Sequence, residues 1–294
     1  MPDAPSPVER IKASLFRILP HHLISRIVFR LTRVRTPYVH YPIRAFIHHF
    51  EVDMSEAAEP DPKSYATFND FFVRQLRPGA RTIDDASDAL VCPADGRISQ
   101  IGELNGDDIV QAKARSFSAL SLLGGSAQRS APFEGGKFCT IYLSPRDYHR
   151  VHMPCAGSLS EMVHVPGRLF TVAPFATRTI PGLFARNERV AALFETDTGP
   201  MAVVLVGAIN VAAIETIWAG LITPPKGKEI RVTQYRDVKS PLHIGRGEEM
   251  GRFNMGSTVI LLFPPGTVAW DERLGEQSPV RMGDRIGTLS GEAA

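Results

Sequence analysis

The spacing of apolar residues divides the chain into a helical beginning and a β-rich remainder. Between residues 6 and 50 apolar positions recur at helical spacing, and Ser6-Pro7-Val8-Glu9 supplies an N-cap, a proline at the first helical position and a capping-box glutamate. One more helix is expected around residues 67–72. From about residue 90, Gly and Pro separate short runs of β-branched and bulky apolar residues, at 139–143, 191–194, 201–206, 229–234 and 259–263. The pattern predicts an α+β fold, with a β-dominated body of antiparallel, barrel-like or sandwich-like sheets behind a helical head.

The second helical segment of the head is amphipathic. Its apolar face holds Leu23, Ile24, Ile27, Val28 and Leu31, and another face holds Arg26, Arg30 and Arg33. Such a helix either packs on the protein's own core or lies in a membrane interface with its arginines at the lipid headgroups. Periodicity alone leaves both interpretations open.

Charge favours the membrane interpretation. Residues 1–50 carry eight Lys/Arg and two acids, a balance of +6, which leaves −4 for the rest of a chain whose formal net charge is +2. A basic head on a mildly acidic body indicates an anionic partner, either a membrane surface or a nucleic acid. The longest nearly apolar run, at 201–214, is shorter than the roughly 20 residues that a spanning helix needs, so no spanning helix is expected.

The three cysteines and the N-terminal residues bear on the compartment. Cys92, Cys139 and Cys155 form no CxxC pair, which excludes a disulfide framework and a standard zinc pattern and fits a reducing environment. The first residues show no apolar segment typical of a signal peptide.

Two polar clusters contain groups that can do acid–base chemistry. In Pro93-Ala94-Asp95-Gly96-Arg97, the Asp-Gly pair by itself most simply makes a turn. Residues 144–154 concentrate His149 and His152 with two arginines, an aspartate and a tyrosine. A His-x-x-His pair can indicate a metal, but no companion ligand stands at standard spacing, so no metal is expected. Two histidines in one proline-bounded polar stretch favour a site over a structural role.

A third cluster, FNMGSTVILLF at 253–263, sets a small polar trio directly before an apolar run. Ser257 is a poor match to the Gly-x-Ser-x-Gly elbow of hydrolases, because a strand rather than a helix is predicted to follow it. A plain turn is adequate. Self-processing is the third interpretation: Gly256 lacks a Cβ, and the Ser257 hydroxyl would attack its carbonyl if His152, oriented by Asp95, served as the base.

Taken together, the clusters resemble the pyruvoyl-dependent phosphatidylserine decarboxylases of bacterial type, which are made as proenzymes. The similar motifs are FNDFFVRQLRP (68–78), PADGRISQIG (93–102), YLSPRDYHRVHMPC (142–155), FARNERV (184–190), ETIWAG (215–220) and EMGRFNMGSTVILLF (249–263). The resemblance covers essentially the whole chain. Met255 departs from the leucine common in the family, which is an apolar exchange of similar volume.

The resemblance implies autocatalytic serinolysis between Gly256 and Ser257. Asp95, His152 and Ser257 would form the charge relay for cleavage, which yields a β subunit (1–256) and an α subunit (257–294) that begins with a covalent pyruvoyl group derived from Ser257. That cofactor would form a Schiff base with phosphatidylserine, and His149 would handle protons as CO₂ leaves and phosphatidylethanolamine forms, a step of phospholipid biosynthesis.

The resemblance also implies an organisation for the protein. Residues 1–60 would be an amphipathic helical membrane-associating region, and 61–294 the β-rich catalytic domain. The enzyme would sit peripherally on the cytoplasmic side of the cell membrane, with anionic lipid and phosphatidylserine but no nucleic acid as partners. The run at 259–263 would hold the cleaved chains together as an α–β heterodimer, and two heterodimers would pair.

Two other hypotheses come from the residues alone. One is an Asp-His-Ser hydrolase that acts on lipids, and the other is a non-catalytic membrane-surface protein in which Ser257 is a turn residue. Neither predicts cleavage of the chain.

Overall fold

The computed structural model describes residues 6–9, 16, 19–112, 115–209, 213–224, 227–236, 241–255 and 257–290. Its α-helices are α1 (His21–Leu31), α2 (His40–Phe50), α3 (Phe68–Phe72), α4 (Ala119–Leu122), α5 (Ala127–Ser130), α6 (Pro174–Thr179) and α7 (Leu183–Arg186), and 3₁₀ turns lie at Pro62–Ser64 and Ala131–Phe133. The predicted capping box is confirmed: the Glu9 carboxylate accepts from Ser6 N at 2.9 Å, and Ser6 Oγ accepts from Glu9 N at 3.2 Å. The predicted helix at 67–72 is α3, which Thr67 caps by accepting from Asp70 N.

The strands are β1 (Ala89–Val91), β2 (Gly96–Glu103), β3 (Asp108–Ala112), β4 (Arg115–Ser118), β5 (Lys137–Leu143), β6 (Arg150–His152), β7 (Gly157–Val165), β8 (Arg189–Thr196), β9 (Gly199–Val206), β10 (Ile214–Thr216), β11 (Gly220–Leu221), β12 (Arg231–Gln234), β13 (His243–Ile244), β14 (Glu249–Phe253), β15 (Ser257–Phe263), β16 (Val268–Trp270), β17 (Pro279–Val280) and β18 (Arg285–Leu289). All five predicted apolar runs are therefore strands. Each lies within, or overlaps, the strand that the sequence pattern indicated.

The strands form antiparallel sheets around one main core. The largest has the order β12-β7-β8-β9-β15-β5-β2-β17, with β13 added on β7; the others are β11-β10-β14-β6, β1-β18-β16 and β3-β4. The prediction of a sheet-rich body with antiparallel pairing is confirmed. The barrel-like form is not: among the described strands, β12 and β17 are the two ends of the large sheet and do not pair, so this sheet is open.

Strand β15 occupies the middle of the large sheet. It pairs along its whole length with β5, from Ser257 opposite Leu143 to Phe263 opposite Lys137, and from Thr258 to Leu262 with β9. All of its side chains are buried. A strand buried on both faces reads as a continuous apolar run, which is the pattern seen at 259–263.

The helical head is only partly as expected. In α1 the side chains of His21 and Ser25 are buried, whereas Leu23, Ile27 and Leu31 are 58%, 48% and 65% exposed. Ile24 and Val28, the other members of the predicted stripe, are half-buried, so the described residues cover only part of the stripe. Residues 10–15 and 17–18 of the predicted helical region lie outside the described residues.

Arg33 is a correction to the predicted polar face. Arg26 and Arg30 are exposed as expected, but Arg33 is half-buried and points its guanidinium into the protein. It donates to the side-chain oxygen of Asn254 at 3.0 Å and lies 3.8 Å from the centroid of the Phe29 ring. The guanidinium turns inward because it finds a fixed hydrogen-bond acceptor and an aromatic ring there.

A smaller second core ties helix α2 to the body. Its buried members are Val39, Ile43, Val52, Tyr65 and Phe71, with Phe46, Ile47, Phe50, Met54 and Phe68 packed around them. This core contains residues from both sides of position 60, the predicted boundary between head and body, and that boundary stays a prediction.

Leu261→Ala should destabilise the fold strongly, because it removes a fully buried side chain from the centre of the large sheet. We expect the free energy of unfolding to fall by about 2–5 kcal/mol, measured by urea denaturation. The matched control is Val232→Ala on edge strand β12, where the side chain is 47% exposed. Equal losses in the two variants would contradict a central position for β15.

Candidate active site

Backbone hydrogen bonds bring the three polar clusters of the sequence together. His152 N donates to the carbonyl of Pro93 at 2.8 Å, which joins the first cluster to the second. Phe253 N donates to the carbonyl of His149 at 3.0 Å, which joins the second cluster to the third. Residues more than 150 positions apart in the chain thus share one site, on the body of the protein beside α3.

Ser257 is the first residue of β15, and its hydroxyl has no partner. Its side chain is fully buried, and Oγ makes no hydrogen bond within the described part of the chain. Most buried hydroxyls are hydrogen-bonded, so the lack of a partner calls for an explanation, and Ser257 shares it with Thr140 and Thr258 of the same sheet. Gly256, on the other side of the predicted scissile bond, lies outside the described residues.

The residues just before the predicted scissile bond are tightly held. Asn254 is fully buried, and its backbone N donates to the carbonyl of Ala213 at 2.8 Å. Met255 follows with a φ of 121°. Residues other than glycine rarely adopt this backbone conformation. Strain is therefore concentrated in the residue that precedes Gly256-Ser257.

His149 is fully buried and neutral. Its Nδ1–H donates to the carbonyl of Asp147 at 2.8 Å, and its ring lies 4.2 Å from the ring of Phe72 on α3. Nε2 therefore carries a lone pair, and it has no partner among the described residues. Burial lowers the pKa of this imidazole to about 3, so the ring is a base held in its uncharged form.

The loop that holds His149 is fixed by its own side chains. The carboxylate of Asp147 accepts from Ser144 N at 2.6 Å and from Ser144 Oγ at 2.7 Å. Burial raises the pKa of this carboxyl group. The turn at 144–147 thereby fixes the carbonyl to which His149 donates.

His152 is also buried, and both ring nitrogens are occupied. Nδ1–H donates to the carbonyl of Gly247 at 2.8 Å, so Nε2 accepts from the hydroxyl of Tyr148 at 2.9 Å. Burial lowers the pKa of His152 as well. Its Nε2 has the protonation state of a general base, with a tyrosine rather than Ser257 as its present partner.

Asp95 lies close by but is bound elsewhere. Its carboxylate accepts from Arg81 through both Nε, at 3.1 Å, and Nη2, and from Met282 N at 2.8 Å. Arg81 also pairs with Glu56 at 2.8 Å. The predicted relay of Asp95, His152 and Ser257 thus shares one neighbourhood, while none of the hydrogen bonds of the described residues connects its members directly. The relay stays a prediction.

Gly96 does not form the plain turn that the Asp-Gly pair indicates. It begins strand β2, and a Cβ built on it would stand 2.2 Å from the carbonyl oxygen of Tyr142 on β5. Only glycine allows this close approach of the two strands beside Asp95.

A cavity of about 540 Å³ opens next to these groups. Its walls include Arg74, Asp95, Tyr142, Asp147 and Tyr148. Polar and charged groups therefore face an open space beside the site, as substrate-binding clefts require. Among the described residues, no group of three or more His, Cys, Asp or Glu side chains is arranged to hold a metal ion.

Several contributors were not found from sequence. Tyr148 belongs to the recognised motif, but nothing in the motif showed that it would bind His152. Arg81, Phe72 and Met282 reach the site from separate elements, and their residue types carry no local signal of that role.

Comparison with known proteins identifies the family. A family model described as phosphatidylserine decarboxylase matches residues 68–288, and a second, described as PSD, matches residues 11–51. The chain belongs to the phosphatidylserine decarboxylase family. It is 56% identical over 271 residues to the phosphatidylserine decarboxylase proenzyme of Bordetella pertussis, covering 92% of this chain and 91% of that protein.

Other members of the family are equally similar. Proteins of the same name from Alkalilimnicola ehrlichii and Stutzerimonas stutzeri are 59% identical over 256 residues and 53% identical over 279 residues. They cover 87% and 94% of this chain, and 88% and 94% of their own lengths are matched. The family predicted from the sequence motifs, and with it the classification as a decarboxylase, is confirmed.

The buried neutral His149 predicts that stability falls in mild acid. In the unfolded chain a histidine takes up its proton near pH 6.5, whereas the folded ring stays neutral down to about pH 3. Stability is therefore lost progressively as pH falls through this window, on the order of 2 kcal/mol between pH 7 and pH 5. Urea unfolding at several pH values measures the loss.

His149→Asn, which keeps a donor toward Asp147, should make this pH dependence shallower. His152 contributes in the same direction, so part of the slope remains. His22→Asn, at an exposed position of α1, is the control and should retain the full slope. An unchanged slope in His149→Asn would refute a neutral buried imidazole.

Proposed function

We propose that this protein cleaves itself between Gly256 and Ser257 and then decarboxylates phosphatidylserine to phosphatidylethanolamine by means of the pyruvoyl group so formed. The observation that carries the proposal is the buried Ser257 hydroxyl at the first position of β15, which has no partner among the described residues and lies two positions after the strained Met255. The names of the relatives, which are proenzymes of this decarboxylase, support it.

The cleavage step follows from the position of Ser257. Its Oγ attacks the carbonyl carbon of Gly256 while a base takes the hydroxyl proton, and the peptide nitrogen leaves as the new amine, so that an ester replaces the amide. Loss of the Ser257 α-proton then expels the Gly256 carboxylate and leaves dehydroalanine. Its enamine tautomerises to an imine, and water releases ammonia and leaves a ketone. Relief of backbone strain at Met255 favours the first step.

His152 is the proposed base for the attack, with Asp95 in support. Its Nδ1 is fixed by the carbonyl of Gly247, so the lone pair lies on Nε2, as proton removal requires. Nε2 must exchange Tyr148 for the Ser257 hydroxyl before it acts. Asp95 would favour the charged form of the ring by its negative charge, which is the direction in which it acts on the pKa of His152.

The residues present fit a pyruvoyl group at position 257. The fully buried Ser257 side chain has unsatisfied polar capacity, and paired β-strands fix the backbone on which the group would form. A pyruvoyl group supplies a ketone that captures the substrate amine and an adjoining carbonyl that accepts the electrons released with CO₂. The dry surroundings exclude water that would compete for the reacting centre.

His149 is the proposed proton carrier of decarboxylation. Its unpartnered Nε2 is free to accept or return a proton, and Phe72 and the carbonyl of Asp147 fix the plane of its ring. Because burial keeps the ring neutral, proton pick-up from substrate is favourable only when a nearby negative charge, such as that of the substrate, accompanies it.

The same site argues against a lipid hydrolase. Ser257 begins a strand and is enclosed, whereas the nucleophile of the elbow type stands exposed between a strand and a helix. A chain that hydrolyses lipids while it remains uncleaved would instead favour the hydrolase.

We further propose that helix α1 docks the enzyme on the cytoplasmic face of the membrane. The exposed stripe of Leu23, Ile27 and Leu31 suits the interface between headgroups and acyl chains, and exposed Arg26 and Arg30 suit anionic lipid. Within the described residues, no helix reaches the length and apolarity that crossing a bilayer requires. The substrate would remain in the bilayer while its headgroup enters the cavity. Pairing of two α–β heterodimers is kept as a further proposal.

Ser257→Ala should abolish both cleavage and decarboxylation, because it removes the nucleophile and the source of the ketone. His149→Ala should leave cleavage nearly intact and reduce decarboxylation by about a hundredfold or more. Intact mass under denaturing conditions reports cleavage, and release of CO₂ reports activity. Ser160→Ala, a buried serine of β7, is the control. Blocked cleavage in His149→Ala would show that the two histidines have been assigned the wrong roles.

Replacing Leu23, Ile27 and Leu31 together by Ser should weaken binding to phosphatidylserine-containing vesicles by about tenfold or more, because apolar area no longer leaves water on docking. Vesicle sedimentation measures the change. The control replaces Leu221, Ile230 and Val232, which are comparably exposed on the body. Equal effects of the two triple variants would contradict docking through α1.

A further inference from the structure

We propose that Arg33 is a positioning residue for self-cleavage: its bond to Asn254 holds the segment before the scissile bond in the strained conformation from which Ser257 attacks. The inference rests on the proposed self-cleavage. It gives the helical head a role in the maturation of the enzyme that is separate from membrane docking.

The contact joins residues 221 positions apart in the chain. Arg33 Nη2 donates to Asn254 Oδ1 at 3.0 Å, and Nη1 donates to the carbonyl of Phe29 at 3.3 Å. The guanidinium lies over the Phe29 ring, 3.8 Å from its centroid. Its planar fork is therefore fixed on three sides, which makes Arg33 a rigid clamp rather than a mobile surface charge.

The base of this clamp is anchored to the body. Thr32 Oγ1 donates to the carbonyl of Val28 at 2.8 Å, and the carbonyl of Thr32 accepts from Asn69 N at 2.8 Å. Asn69 belongs to α3, the same short helix whose Phe72 packs on His149. The end of α1 thus touches the site through α3 and through Asn254.

The backbone and the side chain of Asn254 are both fixed by hydrogen bonds when Arg33 is bound. Its backbone N and Nδ2 both donate to the carbonyl of Ala213, at 2.8 and 3.3 Å, and its Oδ1 accepts from Arg33. The side chain is fully buried. Without Arg33 the amide oxygen would be a buried acceptor without a partner, a costly state that the segment can relieve by rotating away.

Movement of Asn254 matters because Met255 comes next. Phe253 is held by the carbonyl of His149 and Asn254 by Ala213 and Arg33, so the positive φ of Met255 falls between fixed residues and the scissile bond. Strain of this kind persists only where neighbouring contacts enforce it. Loss of the clamp lets Met255 relax, and the strained conformation from which Ser257 attacks is then lost.

The experiment follows cleavage of freshly translated full-length chain on denaturing gels without added membranes. We expect Arg33→Met to slow the first-order rate of cleavage by about tenfold or more, since each loss of one strong positioning contact is worth about this factor. The control Arg35→Met removes the same charge from an exposed site two residues on and should change the rate less than about twofold. Arg33→Lys, which can still donate to Asn254, should recover part of the rate.

Asn254→Ala and the double variant test the pair itself. If the two side chains act through one contact, Asn254→Ala slows cleavage, and Arg33→Met adds little to it. Added hydroxylamine, which cleaves an ester but not an amide, should not restore cleavage in Arg33→Met, because the clamp acts on the attack that forms the ester.

The outcomes separate this inference from the proposed function. An intact wild-type chain would overturn both. A wild-type chain that cleaves while Arg33→Met cleaves equally fast, or while Arg33→Met and Arg35→Met are equally slow, would overturn the clamp alone. Fully additive effects, or rescue by hydroxylamine, would also count against it. Thermal unfolding of each variant separates slow cleavage from poor folding, and slowing that follows lost stability across all variants would refute a positioning role.

Discussion

Strand β15 is hydrogen-bonded to β5 on one edge and to β9 on the other, and every one of its side chains is buried. The strand is paired over its whole length with β5 and from Thr258 to Leu262 with β9, so its register is held from both edges. Ser257 is the first residue of this strand, and its position follows from that register. The central pairing therefore fixes the proposed nucleophile and would also hold the short C-terminal piece in the body after the proposed cleavage. Strands β17 and β18 lie in the same piece, and they add pairing to β2 and β1.

Around this fixed strand, the site contains polar groups that are buried and lack some of their hydrogen-bond partners. The hydroxyl of Ser257 and Nε2 of His149 lack partners among the described residues, and His152 is held as a neutral base. Such groups cost stability in a folded protein, and the surrounding sheet has to offset that cost. The strained Met255 adds to it. The large apolar core on both faces of β15 thus supplies the stability that offsets the cost of the proposed reactive groups.

Local sequence patterns were enough for the strands and for the family, whereas the roles of Asp95, His149, His152 and Ser257 stay predictions. The run at 259–263, the capping box of Ser6 and the helix capped by Thr67 are all encoded within a few neighbouring residues. The partners of the reactive groups were not, because they come from distant elements. Nothing near Asp95 in the chain shows that Arg81 and Met282 bind it. Helical periodicity placed Arg33 on the polar face of α1, whereas the fold turns it inward to donate to Asn254. The pattern of α1 allowed core packing or a membrane face, and its apolar residues are divided between exposed and half-buried positions, so docking of this helix stays a proposal.

Strand β15 fixes Ser257, the site around it holds buried neutral histidines, and the helical head contacts the segment before the proposed scissile bond. In the proposed function, one fold carries a cut between residues 256 and 257 and stays assembled. Mass spectrometry of the purified protein under native and then denaturing conditions tests this most directly. We expect an assembled complex in the native spectrum and two chains after denaturation, corresponding to residues 1–256 and to residues 257–294 with a ketone at the new N-terminus. A single uncut chain in a preparation that decarboxylates phosphatidylserine would contradict it.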